Sequence, residues 1–216
     1  MERPQRCFEL LQAGDEAGIR SLLDQDRSLA NVRDAGGISL LMQALYRGRG
    51  DLAQSIADKK QELDIFEAAA LGRTELLKRF VADQSLVSAF SADGFSALHF
   101  ACYFRQPGAA QILLTAGANA ALAARNPTQV MPLHSAASAR NLEAARLLLE
   151  YGAPVNARQQ GGWTPLHAAA QNGDGAMVEL LLLHGADPRM TNDQGRSPAE
   201  IAREKGHREI AELLEK

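Results

Sequence analysis

The sequence predicts an all-α fold, a solenoid of stacked helical hairpins joined by short β-turn fingers. Three prolines, Pro132, Pro165 and Pro198, recur at intervals of 33 residues, each near the start of a similar segment. Later in each segment comes an apolar block such as LLLLHGADP (180–188), which is repeated as ILLTAGANA (112–120) and LLLEYGAPV (147–155). A unit of this length cannot bury its apolar face alone, so neighbouring units must stack.

The segment around 164–185 shows why each repeat is expected to form two short helices. Thr164 can cap a helix that begins at Pro165, where the missing backbone N–H costs nothing. Gly173 supplies the left-handed conformation that ends this helix after about two turns. A second helix follows, with one apolar stripe, and is expected to end at Gly185.

The same phase extends along the whole chain and gives seven repeats. We expect one domain over residues 1–216, with a C-terminal cap at 192–216 whose outer face is polar. The seven repeats are in register at positions Cys7, Leu41, Ile65, Leu98, Leu133, Leu166 and Ala199.

Three departures from the period predict local irregularities. Arg105 and Arg140 stand where the other repeats have the helix-ending glycine, so each either adopts left-handed geometry at a cost of roughly 1 kcal/mol or ends its helix differently. One interval is 35 residues, which lengthens the finger that contains Asn126 and Pro127. Another interval is only 24 residues, so the connection at 58–64 is too short for a full finger and should leave a notch.

A 33-residue period with the motif TPLHAA (164–169) resembles the ankyrin-repeat family over nearly the whole chain. The run FEAAALGRTELL (66–77) is similar to small prokaryotic stand-alone ankyrin proteins. The resemblance implies a non-catalytic scaffold that binds another protein on the concave face of the solenoid, as an inhibitor or a tether. It also implies that the motif histidine ties its own turn to the next one.

Composition narrows the classes of partner. The net charge is −3 and there is no long basic run, so no nucleic-acid partner is expected. No apolar run approaches the roughly 20 residues that span a bilayer, so no membrane partner is expected either. The two cysteines, Cys7 and Cys102, form no metal or disulfide pattern and fit a reducing compartment. We therefore expect a cytoplasmic monomer without a cofactor.

A row of histidines is the alternative to the scaffold interpretation. His99, His134 and His167 recur at equal phase and would stack, which leaves open a metal-dependent or hydrolytic enzyme. The spacing argues against it, because each histidine lies on a different repeat without a neighbouring carboxylate or cysteine to complete a tetrahedral site. No nucleophile or phosphate-binding motif occurs, so we expect no enzyme and no metal.

In the ankyrin pattern the slots that the stack leaves exposed are the finger position before the motif and the end of the first helix. Five aromatic side chains occupy such slots, and tyrosine and tryptophan dominate binding hot spots. The expected partner-binding residues are Ile38, Tyr46, Phe95, Tyr103, Phe104, Val130, Trp163, Gln171, Asn172 and Arg196.

Overall fold

The chain folds into seven pairs of short helices over residues 3–216, which are the residues that the computed structural model describes. It divides into an N-terminal body, Met1–Glu67 with Ser91–Asp93, and a C-terminal body, Ala68–Phe90 with Gly94–Lys216. The all-α repeat fold predicted from the sequence is confirmed. The single domain over residues 1–216 stays a prediction.

The N-terminal body contains two complete helix pairs and the start of a third. The first helices of the complete pairs contact each other, and so do the second helices. An isolated antiparallel bridge between Arg33 and Ser39 closes the finger that precedes the second pair. The helices are α1 (Arg3–Ala13), α2 (Glu16–Gln25), α3 (Leu40–Tyr46) and α4 (Gly50–Lys59), with a 3-10 turn at Arg27–Asn31, and α5 (Ile65–Ala70) begins in this body.

The C-terminal body contains the remaining helices in two layers. They are α6 (Thr74–Phe80), α7 (Gln84–Val87), α8 (Ala97–Tyr103), α9 (Pro107–Thr115), α10 (Pro132–Ser138), α11 (Leu142–Glu150), α12 (Pro165–Asn172), α13 (Gly175–Leu183), α14 (Pro198–Glu204) and α15 (Arg208–Leu214), with a 3-10 turn at Gln160–Gly162. The first helices α8, α10, α12 and α14 pack in sequence, and the second helices α6, α9, α11 and α13 form the other layer.

Leucines and alanines at repeating positions fill the space between these layers. Leu98, Leu133 and Leu166 are buried in the first layer, and Leu113 and Leu148 in the second. Burial of each such side chain contributes about 1.5 to 3 kcal/mol. The alanines two positions after each motif histidine are also buried, and because their side chains are small the helices approach closely. The sequence pattern therefore fixes both the spacing and the order of the stack.

The ends of the first helices confirm the predicted glycine role and resolve the arginine exceptions. Gly173 ends α12 with φ 69°, as predicted. Arg105 and Arg140 adopt the same left-handed conformation, with φ 59° and 56°, rather than ending their helices differently. The Arg140 guanidinium donates to the carbonyl of Asn172 in the next repeat. That bond offsets part of the backbone cost at Arg140.

The short connection after α4 lies beside a buried ion pair. Lys60 and Glu67 approach to 2.9 Å, and their side chains are only 5% and 0% exposed. The Ser39 hydroxyl donates to the same Glu67 carboxylate at 2.6 Å. Glu67 also exchanges capping hydrogen bonds with Asp64 at the start of α5. Side-chain charges thus hold the third repeat, which has Glu67 in place of the motif histidine.

This buried pair gives the first prediction. Lys60→Met removes the cation and leaves the Glu67 carboxylate buried without its counter-charge, so the free energy of unfolding should fall by about 3 to 5 kcal/mol. Urea unfolding of the whole chain measures it. Lys59→Met is the matched control, because Lys59 pairs with Asp24 at the surface and such pairs contribute about 1 kcal/mol or less. Equal losses in the two variants would contradict the assignment.

The arginine geometry gives the second prediction. Arg105→Gly should raise the free energy of unfolding by roughly 0.5 to 1 kcal/mol, because glycine adopts positive φ without a Cβ clash. Arg140→Gly should gain less, because it also loses the hydrogen bond to Asn172. Thermal and urea unfolding of both variants check the order. A larger gain at Arg140 would show that its bond to Asn172 contributes nothing.

Candidate functional site

The three motif histidines connect successive repeats of the C-terminal body through their two ring nitrogens. At the start of α8, His99 Nδ1 lies 3.2 Å from the backbone nitrogen of Ser96 and 2.8 Å from its hydroxyl. Nε2 lies 2.9 Å from the carbonyl oxygen of Val130 in the next finger. A carbonyl oxygen only accepts, so Nε2 carries the proton and donates, while Nδ1 accepts.

His134 and His167 repeat this geometry one and two repeats further on. His134 Nε2 is 3.2 Å from the Trp163 carbonyl oxygen and 3.1 Å from that of Ala157. His167 Nε2 is 3.1 Å from the Arg196 carbonyl oxygen, and its Nδ1 accepts from the backbone N–H of Thr164. The structural role that the family resemblance implied for these histidines is confirmed.

Burial keeps these imidazoles neutral. Desolvation lowers the pKa of His99 and of His134 to about 4, although the carbonyl partners act in the opposite direction. The pKa of His167 is lowered for the same reason. Because both ring nitrogens are hydrogen-bonded within the chain, no lone pair is left to bind a metal. In residues 3–216 no group of three or more His, Cys, Asp or Glu side chains is placed to hold a metal ion.

The fingers are joined to one another by single backbone hydrogen bonds. Arg125 N–H donates to the Gly94 carbonyl at 2.8 Å, Gln160 N–H to that of Thr128 at 2.9 Å, and Asp193 N–H to that of Gly161 at 2.9 Å. The lengthened finger closes on itself where Ala124 N–H donates to Val130. The fingers therefore form a continuous row beside the first helices.

The histidines hold three of the finger residues that the sequence predicts to bind a partner. The carbonyls that accept from His99, His134 and His167 include those of Val130, Trp163 and Arg196. The Trp163 indole also packs on His167 of its own repeat, with 5.6 Å between ring centroids. These two contacts fix Trp163 at its backbone and along its ring. The residue is half-buried, so part of the ring faces solvent.

A cluster of aromatic rings lies at α8. Phe95 contacts His99 and Phe100, and Phe104 stacks on Phe100 with 6.3 Å between centroids. Tyr103 meets Phe104 edge to face at 5.2 Å and keeps half of its surface exposed, at 50%. The cluster therefore has a buried base and an exposed rim.

The remaining predicted residues have varied surroundings. Ile38 is half-buried in the N-terminal body, where the Tyr46 hydroxyl donates to Asp93. Gln171 is exposed, whereas the Asn172 amide donates to the Ala137 and Ser138 carbonyls. Arg196 pairs with Glu204 at 2.6 Å. Partner contact by all ten residues stays a prediction.

Two exposed apolar side chains on the second helices or directly after them were not predicted. Tyr151 is 44% exposed and Leu183 is 80% exposed. Both lie in the repeated apolar block beside the core leucines, so the periodicity of the sequence does not distinguish them from buried residues. They supply natural control positions for tests of the first-helix layer.

Comparison with known proteins agrees with this geometry. A family model described as ankyrin repeats (three copies) matches residues 65–159 and 133–216. The ankyrin repeat domain-containing protein SAT10 of Stachybotrys chartarum is 27% identical over 147 residues, which is 66% of this chain and 8% of that protein. This chain therefore spans a small part of the length of its relative.

Paired helices in register, tied by histidines, define an α-helical repeat protein. The chain belongs to the ankyrin-repeat family. Ankyrin repeats are protein–protein interaction modules and are generally not catalytic. Among residues 3–216 no helix is long and apolar enough to cross a membrane.

The histidine environment gives the third prediction. Each lowered pKa means that the unfolded chain takes up a proton near pH 6.5 while folded His99 and His134 do so only near 4. Their contribution to stability is complete above about pH 6.5 and is lost as the pH falls toward 4, at up to about 1.4 kcal/mol per pH unit for each histidine.

Urea unfolding at several pH values between 7 and 5 measures this slope. His99→Gln and His134→Gln should each be less stable at pH 7 and should each show a shallower slope, because one titrating group is gone. Slopes equal to that of the wild type would contradict the assignment, whatever the stability at pH 7.

Proposed function

We propose that the protein is a non-catalytic scaffold that holds another protein on the concave face, formed in the C-terminal body by the first helices and the fingers. The observation that carries the proposal is the pairing of exposed aromatic surface with rigid support. Tyr103 is half exposed and meets half-buried Phe104, which stacks on buried Phe100, and Trp163 is held at its backbone and its ring.

Rigid aromatic side chains make good anchors because little conformational freedom is lost when they are covered. Truncating a central hot-spot aromatic costs roughly 2 kcal/mol or more. The supporting contacts of Trp163 and Phe104 come from the protein's own stack, so their positions do not depend on the partner. A preformed surface of this kind suits either inhibition or tethering of the bound protein.

The enzymatic alternative is supported by no observation here. His99, His134 and His167 are buried and neutral, and both nitrogens of each ring are hydrogen-bonded within the chain. None can bind a metal or move a proton without breaking either the link to its own helix start or the link to the next finger. We propose that the protein acts without a cofactor, as a monomer in the cytoplasm, where buried Cys7 and Cys102 stay reduced.

The fourth prediction tests the surface. The triple variant Tyr103→Ala, Phe104→Ala, Trp163→Ala should lose specific proteins that the wild type retains from a lysate of the source organism. Titration of a retained protein should show at least a hundredfold loss of affinity, because three hot-spot contacts are removed together.

The matched control removes exposed apolar surface from the other layer. Tyr151→Ala with Leu183→Ala should retain the same proteins as the wild type. Circular dichroism of each variant checks that helix content is unchanged. Loss of binding in the control, with binding kept in the triple variant, would place the contact surface on the second helices and overturn the proposal.

A further inference from the structure

Between residues 94 and 173 the first helices and fingers carry positive charge only, and Asp93, which accepts from the Tyr46 hydroxyl, directly precedes this range. Residues 94–142 contain three arginines and no aspartate or glutamate. Over 94–173 the only acidic residues are Glu143 and Glu150, and both lie on α11 in the second-helix layer. Residues 94–173 therefore contribute no carboxylate to the first helices and fingers.

Among residues 94–173, all but one of the arginines in the first helices and fingers are used within the chain. Arg125 lies over the Phe90 ring, with 4.1 Å between its guanidinium carbon and the ring centroid. Arg140 donates to Asn172, and Arg158 pairs with Asp193 at 3.1 Å. Arg105 differs. Its exposed guanidinium makes no hydrogen bond or ion pair with any side chain or carbonyl in the described range 3–216.

The backbone of Arg105 makes this lack of a partner informative. The residue holds φ 59°, a conformation that glycine adopts more easily at the same place in other repeats. Arg140 shares the strain but gains a hydrogen bond to the next repeat. Arg105 gains none. A residue with a strained backbone whose guanidinium has no polar partner in its own fold is a reason to look for a contact outside it.

Resting on the proposed function, we infer that the partner presents an acidic protein segment, with an aspartate or glutamate carboxylate on Arg105 and a neighbouring apolar side chain on Tyr103 and Phe104. The planar guanidinium offers paired donors that match a carboxylate. Residues 103–105 are consecutive, so one short segment can reach the charge and the rings together. Polyphosphate chains need several free cations in a row, and the first helices and fingers of residues 94–173 offer one.

The experiment uses a displayed library of random short peptides selected on the whole wild-type protein. Selected peptides should contain an aspartate or glutamate next to a large apolar residue. For individual peptides, replacing that carboxylate with its amide should raise the Kd about 10- to 100-fold, and added salt should weaken binding.

Variants of the protein separate binding from folding. Arg105→Gln should raise the Kd for the acidic peptides about 10- to 100-fold and leave the Kd for the amide forms nearly unchanged. Arg105→Gly should do the same although it is expected to be the more stable protein, so weakened binding cannot reflect poor folding. Arg146→Gln, which removes an exposed arginine from α11, is the matched control and should bind as the wild type does.

The outcomes distinguish this inference from the function on which it rests. Peptides that need Tyr103 and Phe104 but show no acidic preference, or no dependence on Arg105, overturn the acidic partner and leave the binding surface in place. Peptide binding that is unchanged in the triple aromatic variant overturns both. Binding of a thymidine oligonucleotide that depends on Arg105 would replace the acidic segment with a nucleic acid and so overturn the inference.

Discussion

The hydrogen bond from a buried imidazole to the carbonyl of the next finger is the interaction on which the C-terminal body depends. The Nδ1 atom of the same ring accepts a hydrogen bond at the start of its own helix, and Nε2 donates to the neighbouring finger. One side chain therefore sets both the fold of a repeat and its register with the next. The bond accepted by Nδ1 requires a neutral ring, because a protonated Nδ1 cannot accept, and burial keeps the ring neutral. The finger residues Val130, Trp163 and Arg196 hold their places because their own carbonyls are the acceptors.

Much of this fold could be predicted from the sequence because the same residues that start, pack and end a helix recur in successive repeats. Proline at the start of a helix, alanines at the contact and a positive-φ residue at its end leave few alternatives, and agreement in phase fixes the stack. Where the pattern fails, different chemistry appears. Glu67 caps its helix and accepts from Lys60 and Ser39, so an ion pair stands where other repeats use a histidine. Nothing in the local sequence shows that Lys60 would turn inward, because that depends on the shortened connection.

Only part of the candidate site could be predicted from the sequence, because the repeat phase gives the position of a residue but not its contacts. Phase identified Tyr103 and Trp163 as slot residues, since slots follow from the repeat itself. It could not separate Gln171, which is exposed, from Asn172, whose amide is used between repeats. The sequence pattern marks Arg105 as an irregularity of helix ending and not as the partner contact that we propose. The absence of acidic residues from 94–142 supports that proposal, but it belongs to a long stretch of chain and no single motif contains it.

Trp163 has a consequence for how the molecule can be observed. It is the single tryptophan of the chain, and it contacts His167 while its carbonyl holds His134. Indole emission responds to solvent and to a nearby imidazolium, so its intensity and wavelength will change when the surface is covered and when the adjacent rings gain protons. The protein therefore contains an intrinsic fluorescence probe that reports on docking and on the integrity of the histidine links from the same position.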